Sequence, residues 1–159
     1  MKNKKRFVSI FLCLIAVLSA MSVTAFASNW TDSSFTNFSI TDSGNNLMHF
    51  LPGRAKEDNT ASYLYITNST NRYTLVWVYG GENPNSTDRL EWDMCYSPDS
   101  DVYGYVICQR GTKYSIYSDV YTQGYTYATL RFESIYGGDS LTGVWSPDSR
   151  GTYATPEGM

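Results

Sequence analysis

Histidine and cysteine, which build many catalytic and metal sites, are scarce in this sequence. It has one histidine, His49, and three cysteines, of which Cys13 lies in the apolar N-terminal run. One histidine and two cysteines that are expected to be bridged cannot build a zinc site. The sequence also lacks a Gly-x-Ser-x-Gly motif that would support a Ser-His-Asp arrangement, so we expect His49 to be a strand residue facing solvent. We predict a non-enzymatic protein without catalytic residues, metal or cofactor.

Long hydrophobic runs are absent except near the N-terminus. Lys2–Arg6 is basic, Phe7–Ala20 is apolar, and Ala25–Ala27 is a small-x-small cleavage site, as in secretory signal peptides. The apolar run is too short for a membrane span. We therefore predict that residues 1–27 are a signal peptide, that the membrane is met only during export, and that the product is secreted and extracellular.

Positive charge is scarce once this segment is removed. The segment holds four of the 12 basic residues and none of the 15 acidic ones, which leaves a net charge of −7 on 132 residues. A surface this acidic argues against binding to nucleic acid or to anionic lipid.

The two cysteines that remain, Cys95 and Cys108, are expected to form a disulfide in an oxidising compartment. They lie in two alternating stretches on either side of turn chemistry at Ser97–Asp101. If the turn centres between Asp101 and Val102, Cys95 falls opposite Cys108. The same register places Asp93 opposite Arg110.

The pattern of the rest of the chain predicts short strands separated by turns. Alternating or β-branched stretches occur at residues 35–40, 47–51, 62–67, 72–79, 113–117, 124–133 and 141–145, with a turn at Asn68–Asn71 that predicts a hairpin. Tyr114, Tyr117 and Tyr121 have helical spacing, but β-branched neighbours favour strand. We predict about eight strands in an antiparallel β-sandwich, Ig-like or jelly-roll-like, over residues 35–150. Residues 28–34 would be a lead-in and 151–159 a C-terminal tail.

Tyrosine is unusually abundant, and all 14 tyrosines follow the signal peptide. Three pairs have Tyr-x-Tyr spacing, which puts both rings of a strand pair on one face. We predict that these rings point outward as ligand-binding residues, because tyrosine offers a ring face and a hydroxyl. A solvated sheet face that uses tyrosine for β-propensity is the alternative. The six residues are Tyr63, Tyr65, Tyr103, Tyr105, Tyr125 and Tyr127.

Carboxylates offer weaker candidates. Glu91 and Asp93 lie on one strand face at a separation of about 7 Å, which a glycosidase would allow, although a cross-strand ion pair explains them better. Asp99 and Asp101 form an Asp-x-Asp loop, and Asp148 lies in a second Ser-Pro-Asp-Ser turn. Calcium needs six or more oxygen ligands, so we interpret these aspartates as solvated turn residues.

Three stretches carry a resemblance to a known family: residues 54–63, 124–130 (GYTYATL) and 143–149 (GVWSPDS). With its GYxYAxL and GxWSPDS motifs, the chain resembles a family of small secreted Gram-positive bacterial proteins of unknown function. The resemblance implies an exported, compact, β-rich protein and transfers no catalytic residue.

The combined expectation is a secreted binding or interaction module whose partner is a cell-envelope glycan or another exported protein, contacted through the tyrosines. A small secreted antagonist resembling a bacteriocin is one alternative, although such membrane-active peptides are usually basic. A carboxylate-dependent hydrolase is the other.

Removal of the signal peptide can be tested directly. We expect the protein recovered from culture medium to begin at Ser28, because the Ala-x-Ala site precedes that residue. Intact-mass measurement and N-terminal sequencing check this. A medium protein that still carries Cys13 would contradict it.

Overall fold

The computed structural model describes residues 29–40, 48–84, 95 and 104–158. The strands in these ranges are β1 (Ser33–Ile40), β2 (Met48–Phe50), β3 (Arg54–Ala55), β4 (Ser62–Asn68), β5 (Tyr73–Gly81), β6 (Val106–Gln109), β7 (Lys113–Ile116), β8 (Tyr127–Ser134), β9 (Asp139–Ser146) and β10 (Glu157–Gly158). No helix occurs among these residues, which confirms the all-β prediction. The described part of the chain accordingly holds no helix long and apolar enough to cross a membrane.

The strands form two antiparallel sheets. The four-stranded sheet has the order β1-β9-β4-β7, and the six-stranded sheet has the order β10-β6-β5-β8-β2, with β3 also paired to β8. Their inner faces meet in one core, where the ring of Phe35 in β1 lies 5.5 Å from that of Phe132 in β8. The predicted antiparallel sandwich is therefore confirmed.

Alternation along the strands explains which side chains enter the core. In β8, Ala128, Leu130 and Phe132 are fully buried while the residues between them are half-buried. The close approach of β4 and β9 also requires a residue without a side chain at Gly143 in β9. A Cβ atom there would lie 2.5 Å from the carbonyl oxygen of Tyr65 in β4, so only glycine fits between the neighbouring strands.

The predicted hairpin at Asn68–Asn71 is wrong, because β4 and β5 belong to different sheets. The turn instead carries the chain from one sheet to the other. The buried carboxylate of Asp139 holds it by accepting hydrogen bonds from Ser69 Oγ (2.9 Å) and from the backbone N–H of Thr70 (2.8 Å). Polar turn residues suit both kinds of connection, and the distant Asp139 decides between them.

The predicted C-terminal tail, residues 151–159, is also wrong over most of its length. The backbone N–H of Ser115 in β7 donates to the carbonyl of Ala154 (3.0 Å), and β10 pairs with β6 at the edge of the six-stranded sheet. The segment therefore spans from one sheet to the other.

A buried ion pair joins two of the three stretches that carry the family resemblance, residues 54–63 and 143–149. The ammonium of Lys56 lies 2.7 Å from Asp148 Oδ1, and both side chains are fully buried. Asp148 Oδ2 accepts hydrogen bonds from the backbone N–H groups of Asn29 (2.8 Å) and Glu57 (3.0 Å). The interpretation of Asp148 as a solvated turn residue is therefore wrong, because distant donors satisfy its carboxylate inside the protein.

The ion pair leads to a stability prediction. We expect Asp148→Asn to cost about 3–5 kcal/mol of unfolding free energy, because it leaves the Lys56 ammonium buried without its counter-charge. The double variant Lys56→Met/Asp148→Asn should recover part of that loss, since it removes the unpaired charge. Urea unfolding of the three proteins measures both effects. A double variant no more stable than Asp148→Asn would contradict this explanation.

Candidate functional site

Cys95 and Cys108 both lie in the core, with 1% and 0% exposure, and the structure has them as thiols rather than as a disulfide. The predicted strand register is wrong. Cys108 in β6 pairs with Thr74 in β5, whereas Cys95 forms an isolated bridge with Ser118. Burial raises the pKa of the Cys108 thiol well above its usual value, and the neighbouring Cys95 raises it further. The two cysteines are therefore close in space although they are not paired across one ladder.

The tyrosines predicted to form an outward stripe are divided between the two sheets. Tyr63 and Tyr65 lie on β4 of the four-stranded sheet, on the side opposite the buried Leu64. Tyr63 is only 6% exposed, because Tyr153 of the C-terminal segment packs on it with ring centroids 4.8 Å apart. Burial raises the pKa of Tyr63 to about 12, with smaller contributions from neighbouring groups. Tyr63 is therefore mainly a packing residue.

Tyr65 and Tyr105 each pack against another side chain. The ammonium of Lys113 lies 5.6 Å from the centre of the Tyr65 ring. The ring of Tyr105 lies 5.0 Å from that of Trp77 on the outer side of the six-stranded sheet. Since the two sheets turn their outer sides in opposite directions, these rings do not form one surface with each other.

Tyr125 and Tyr127 differ in direction, contrary to the prediction of a shared face. Tyr127 begins β8 and pairs with Gly81 and Ala55. Tyr125 precedes the strand and packs against the core. A Cβ atom on Gly80 would lie 2.6 Å from the Tyr125 ring, so the absence of a side chain at Gly80 makes room for that ring.

Both tyrosines nevertheless line one cleft. Its volume is about 530 Å³, within the range of small-molecule sites. One wall is formed by Ala55 at the end of β3 and by the two residues after it, and the other by the connection between β7 and β8 together with the first residue of β8. The lining residues are Ala55, Lys56, Glu57, Tyr121, Gly124, Tyr125, Thr126 and Tyr127.

Backbone hydrogen bonds hold the two walls of this tyrosine cleft. The N–H of Lys56 donates to the carbonyl of Thr126 (2.9 Å), and the N–H of Tyr125 donates to the carbonyl of Val120 (3.0 Å), which closes the turn bearing Tyr121. Tyr121 is 39% exposed, and Tyr125 and Tyr127 are half-buried. The cleft therefore presents tyrosine rings to solvent on a preformed frame.

Glu57 is the acidic group of the cleft. Its backbone N–H is bonded to Asp148 (3.0 Å), and its side chain is half-buried. Among the described residues, Glu57 Oε2 is buried without a hydrogen-bond partner. Lys56, although part of the lining, directs its ammonium to Asp148. The negative charge of Glu57 is thus not balanced by the adjacent lysine.

The outer side of the six-stranded sheet also carries aromatic residues, but the rings of Trp77 and Tyr79 are less accessible than those in the tyrosine cleft. The guanidinium of Arg131 lies 4.1 Å from the Trp77 ring centre and donates to Tyr79 Oη (2.7 Å) and to Glu133 (3.0 Å). Trp77 and Tyr79 are only 7% and 9% exposed. Trp77 packs against Tyr105 and Arg131, and Tyr79 packs against Phe50, which leaves little of the Trp77 and Tyr79 ring surface for a ligand.

The other predicted candidates fall into two groups. His49, predicted to face solvent, is half-buried, and its ring makes an edge contact with Phe38 at 5.8 Å. The remaining candidates lie outside the described residues: Glu91, Asp93, Asp99, Asp101 and Tyr103. Within the described ranges no group of three or more His, Cys, Asp or Glu side chains could hold a metal ion.

Sequence reasoning missed Tyr121 and Glu57. Tyr121 falls outside the Tyr-x-Tyr pairs, although it stands four residues before Tyr125 across a turn at Gly124. The glycine at position 124 was the available signal, because a turn there brings Tyr121 near Tyr125. Glu57 belongs to a charged run, and the sequence does not show that Lys56 in this run is buried against the distant Asp148 while Glu57 lines the cleft.

Comparison with known proteins gives a family and no function. A family model described as a protein of unknown function (DUF2712) matches residues 22–149. No curated protein and no solved structure matches the chain.

Proposed function

The chain belongs to the DUF2712 family of proteins of unknown function, and we propose that it is a secreted, non-enzymatic module that binds a cell-envelope glycan in the tyrosine cleft. The observation that carries the proposal is the convergence of Tyr121, Tyr125 and Tyr127 on one cleft of about 530 Å³. Aromatic rings stack on the apolar faces of sugars, and tyrosine hydroxyls add hydrogen bonds at low entropic cost.

The size and chemistry of the cleft favour a sugar over a protein partner. A concave site of this volume suits a small ligand, whereas a stable protein interface covers roughly 800 Å² on each partner. Among the cleft-lining residues Glu57 is the one carboxylate, while glycoside hydrolysis generally uses two. These features support binding without hydrolysis.

Secretion from a Gram-positive bacterium is the setting that we propose for this activity. It rests on the signal-peptide pattern of residues 1–27 and on the GYxYAxL and GxWSPDS motifs. The position of Asn29 supports cleavage after Ala27. Asn29 stands two residues beyond that site, and its backbone N–H already bonds the buried Asp148.

The tyrosines provide the test of glycan binding. We expect Tyr121→Ala and Tyr127→Ala each to weaken binding about tenfold, since each removes a stacking surface. Calorimetric titration with purified cell-wall glycan fragments measures the change. Tyr136→Ala is the matched control, because Tyr136 is 71% exposed and follows the C-terminal end of β8, whereas Tyr127 at the N-terminal end of β8 lines the cleft. Unchanged binding in both cleft variants, or an equal loss in the control, would refute the proposal.

We also propose that Cys95 and Cys108 become a disulfide during export. Each thiol would lose a proton and an electron to an oxidant of the extracytoplasmic compartment. The burial of both thiols and the raised pKa of Cys108 imply that oxidation precedes closure of the core, because the thiolate is the reactive form. A bridge closing this short loop contributes about 3 kcal/mol in the chain-entropy model.

Thiol titration tests the bridge. We expect the denatured secreted protein to show no reactive thiol before reduction and two afterwards. Cys95→Ser should show one thiol and a lower unfolding free energy. Two thiols in the unreduced wild-type protein would refute the bridge.

A further inference from the structure

Glu57 distinguishes the tyrosine cleft from a neutral sugar site. A carboxylate oxygen that is buried without a partner is energetically costly, and Glu57 Oε2 is in that position among the described residues. The side chain is only half-buried, and the terminal torsion of glutamate has a broad minimum. A small rotation can therefore present the carboxylate to a donor entering the cleft.

The neighbouring cations do not neutralise this carboxylate. The ammonium of Lys56 is bound to Asp148 at 2.7 Å. The guanidinium of Arg54 donates to the carbonyl of Trp145 and to Asn29 Oδ1, both at 3.0 Å. Neither of these two cations is directed to Glu57, so neither of them pairs with the carboxylate of this cleft residue.

The tyrosine rings of the cleft also favour a positively charged ligand group. The face of an aromatic ring carries negative charge density and attracts cations. Three such rings line the cleft with Glu57, and the secreted chain has a net charge of −7. A cleft with these properties favours a ligand with a positively charged group.

We propose that the sugar held in this cleft is an amino sugar with a free ammonium group, that is, a hexosamine without its N-acetyl group. Its ammonium donates to the Glu57 carboxylate while a ring face of the sugar rests on the tyrosines. Charge-assisted hydrogen bonds are about twice as strong as neutral ones, so the ammonium is preferred over a hydroxyl. This inference rests on the glycan-binding function proposed above.

The test compares two tetrasaccharides that differ only in acetylation: the β-1,4 tetramer of glucosamine and that of N-acetylglucosamine. Calorimetry with the secreted protein, at a mildly acidic pH that protonates the amines, gives both dissociation constants. We expect the glucosamine tetramer to bind about tenfold more tightly. The preference should shrink as salt is added, because salt screens the charge interaction.

Variants separate Glu57 from the general acidity of the protein. Glu57→Gln should reduce the ratio of the two dissociation constants from about ten to about one, with a thermal melt to confirm folding. Glu157→Gln is the control, since Glu157 is exposed on β10 and its removal changes net charge equally. It should leave the preference unchanged.

Each outcome has a distinct meaning. Equal affinity for the two tetramers overturns the amino-sugar inference and leaves glycan binding standing. A preference that Glu157→Gln reduces as much as Glu57→Gln also overturns it, because net charge would then be the cause. If neither tetramer nor any cell-wall glycan binds, the proposed function itself fails.

Discussion

The ion pair between Lys56 and Asp148 is the interaction on which the architecture of this end of the molecule depends. Its members are 92 positions apart in the chain, and the Asp148 carboxylate also binds the backbone at Asn29 and Glu57. One carboxylate thus connects the start of the described chain, the segment after β3 and the turn after β9. Its burial requires that all three segments be in place together.

Buried ion pairs add little net stability, because desolvation of the charges offsets their attraction. In this protein the ion pair instead restricts how the three segments bound to Asp148 can be arranged. Burial lowers the pKa of Lys56, and the hydrogen bond and charge of Asp148 act against that shift. An arrangement that separated the two groups would leave a charge buried alone, so the pair disfavours alternative packings of the turn after β9.

The same interaction positions the tyrosine cleft. Lys56 reaches the interior, while Glu57, held through its backbone N–H to Asp148, is one of the residues that line the cleft. The opposite wall is bonded to this segment through the carbonyl of Thr126. A structural charge, Lys56, and an acidic cleft residue, Glu57, are therefore adjacent in sequence. The stretch 54–63 that includes both has a packing role as well as a place in the proposed site.

The sequence by itself determined the strand content and the core-facing residues, because alternation within one strand is a local property. β4 and β8 follow their predicted patterns, with Leu64 and Leu130 inside. Tertiary structure alone decided which sheet each strand joins, that Asp148 is buried, and that Tyr153 covers Tyr63. It also brought Tyr121 and Glu57 together. Each of these depends on partners far away in the chain, and local spacing contains no information about such partners.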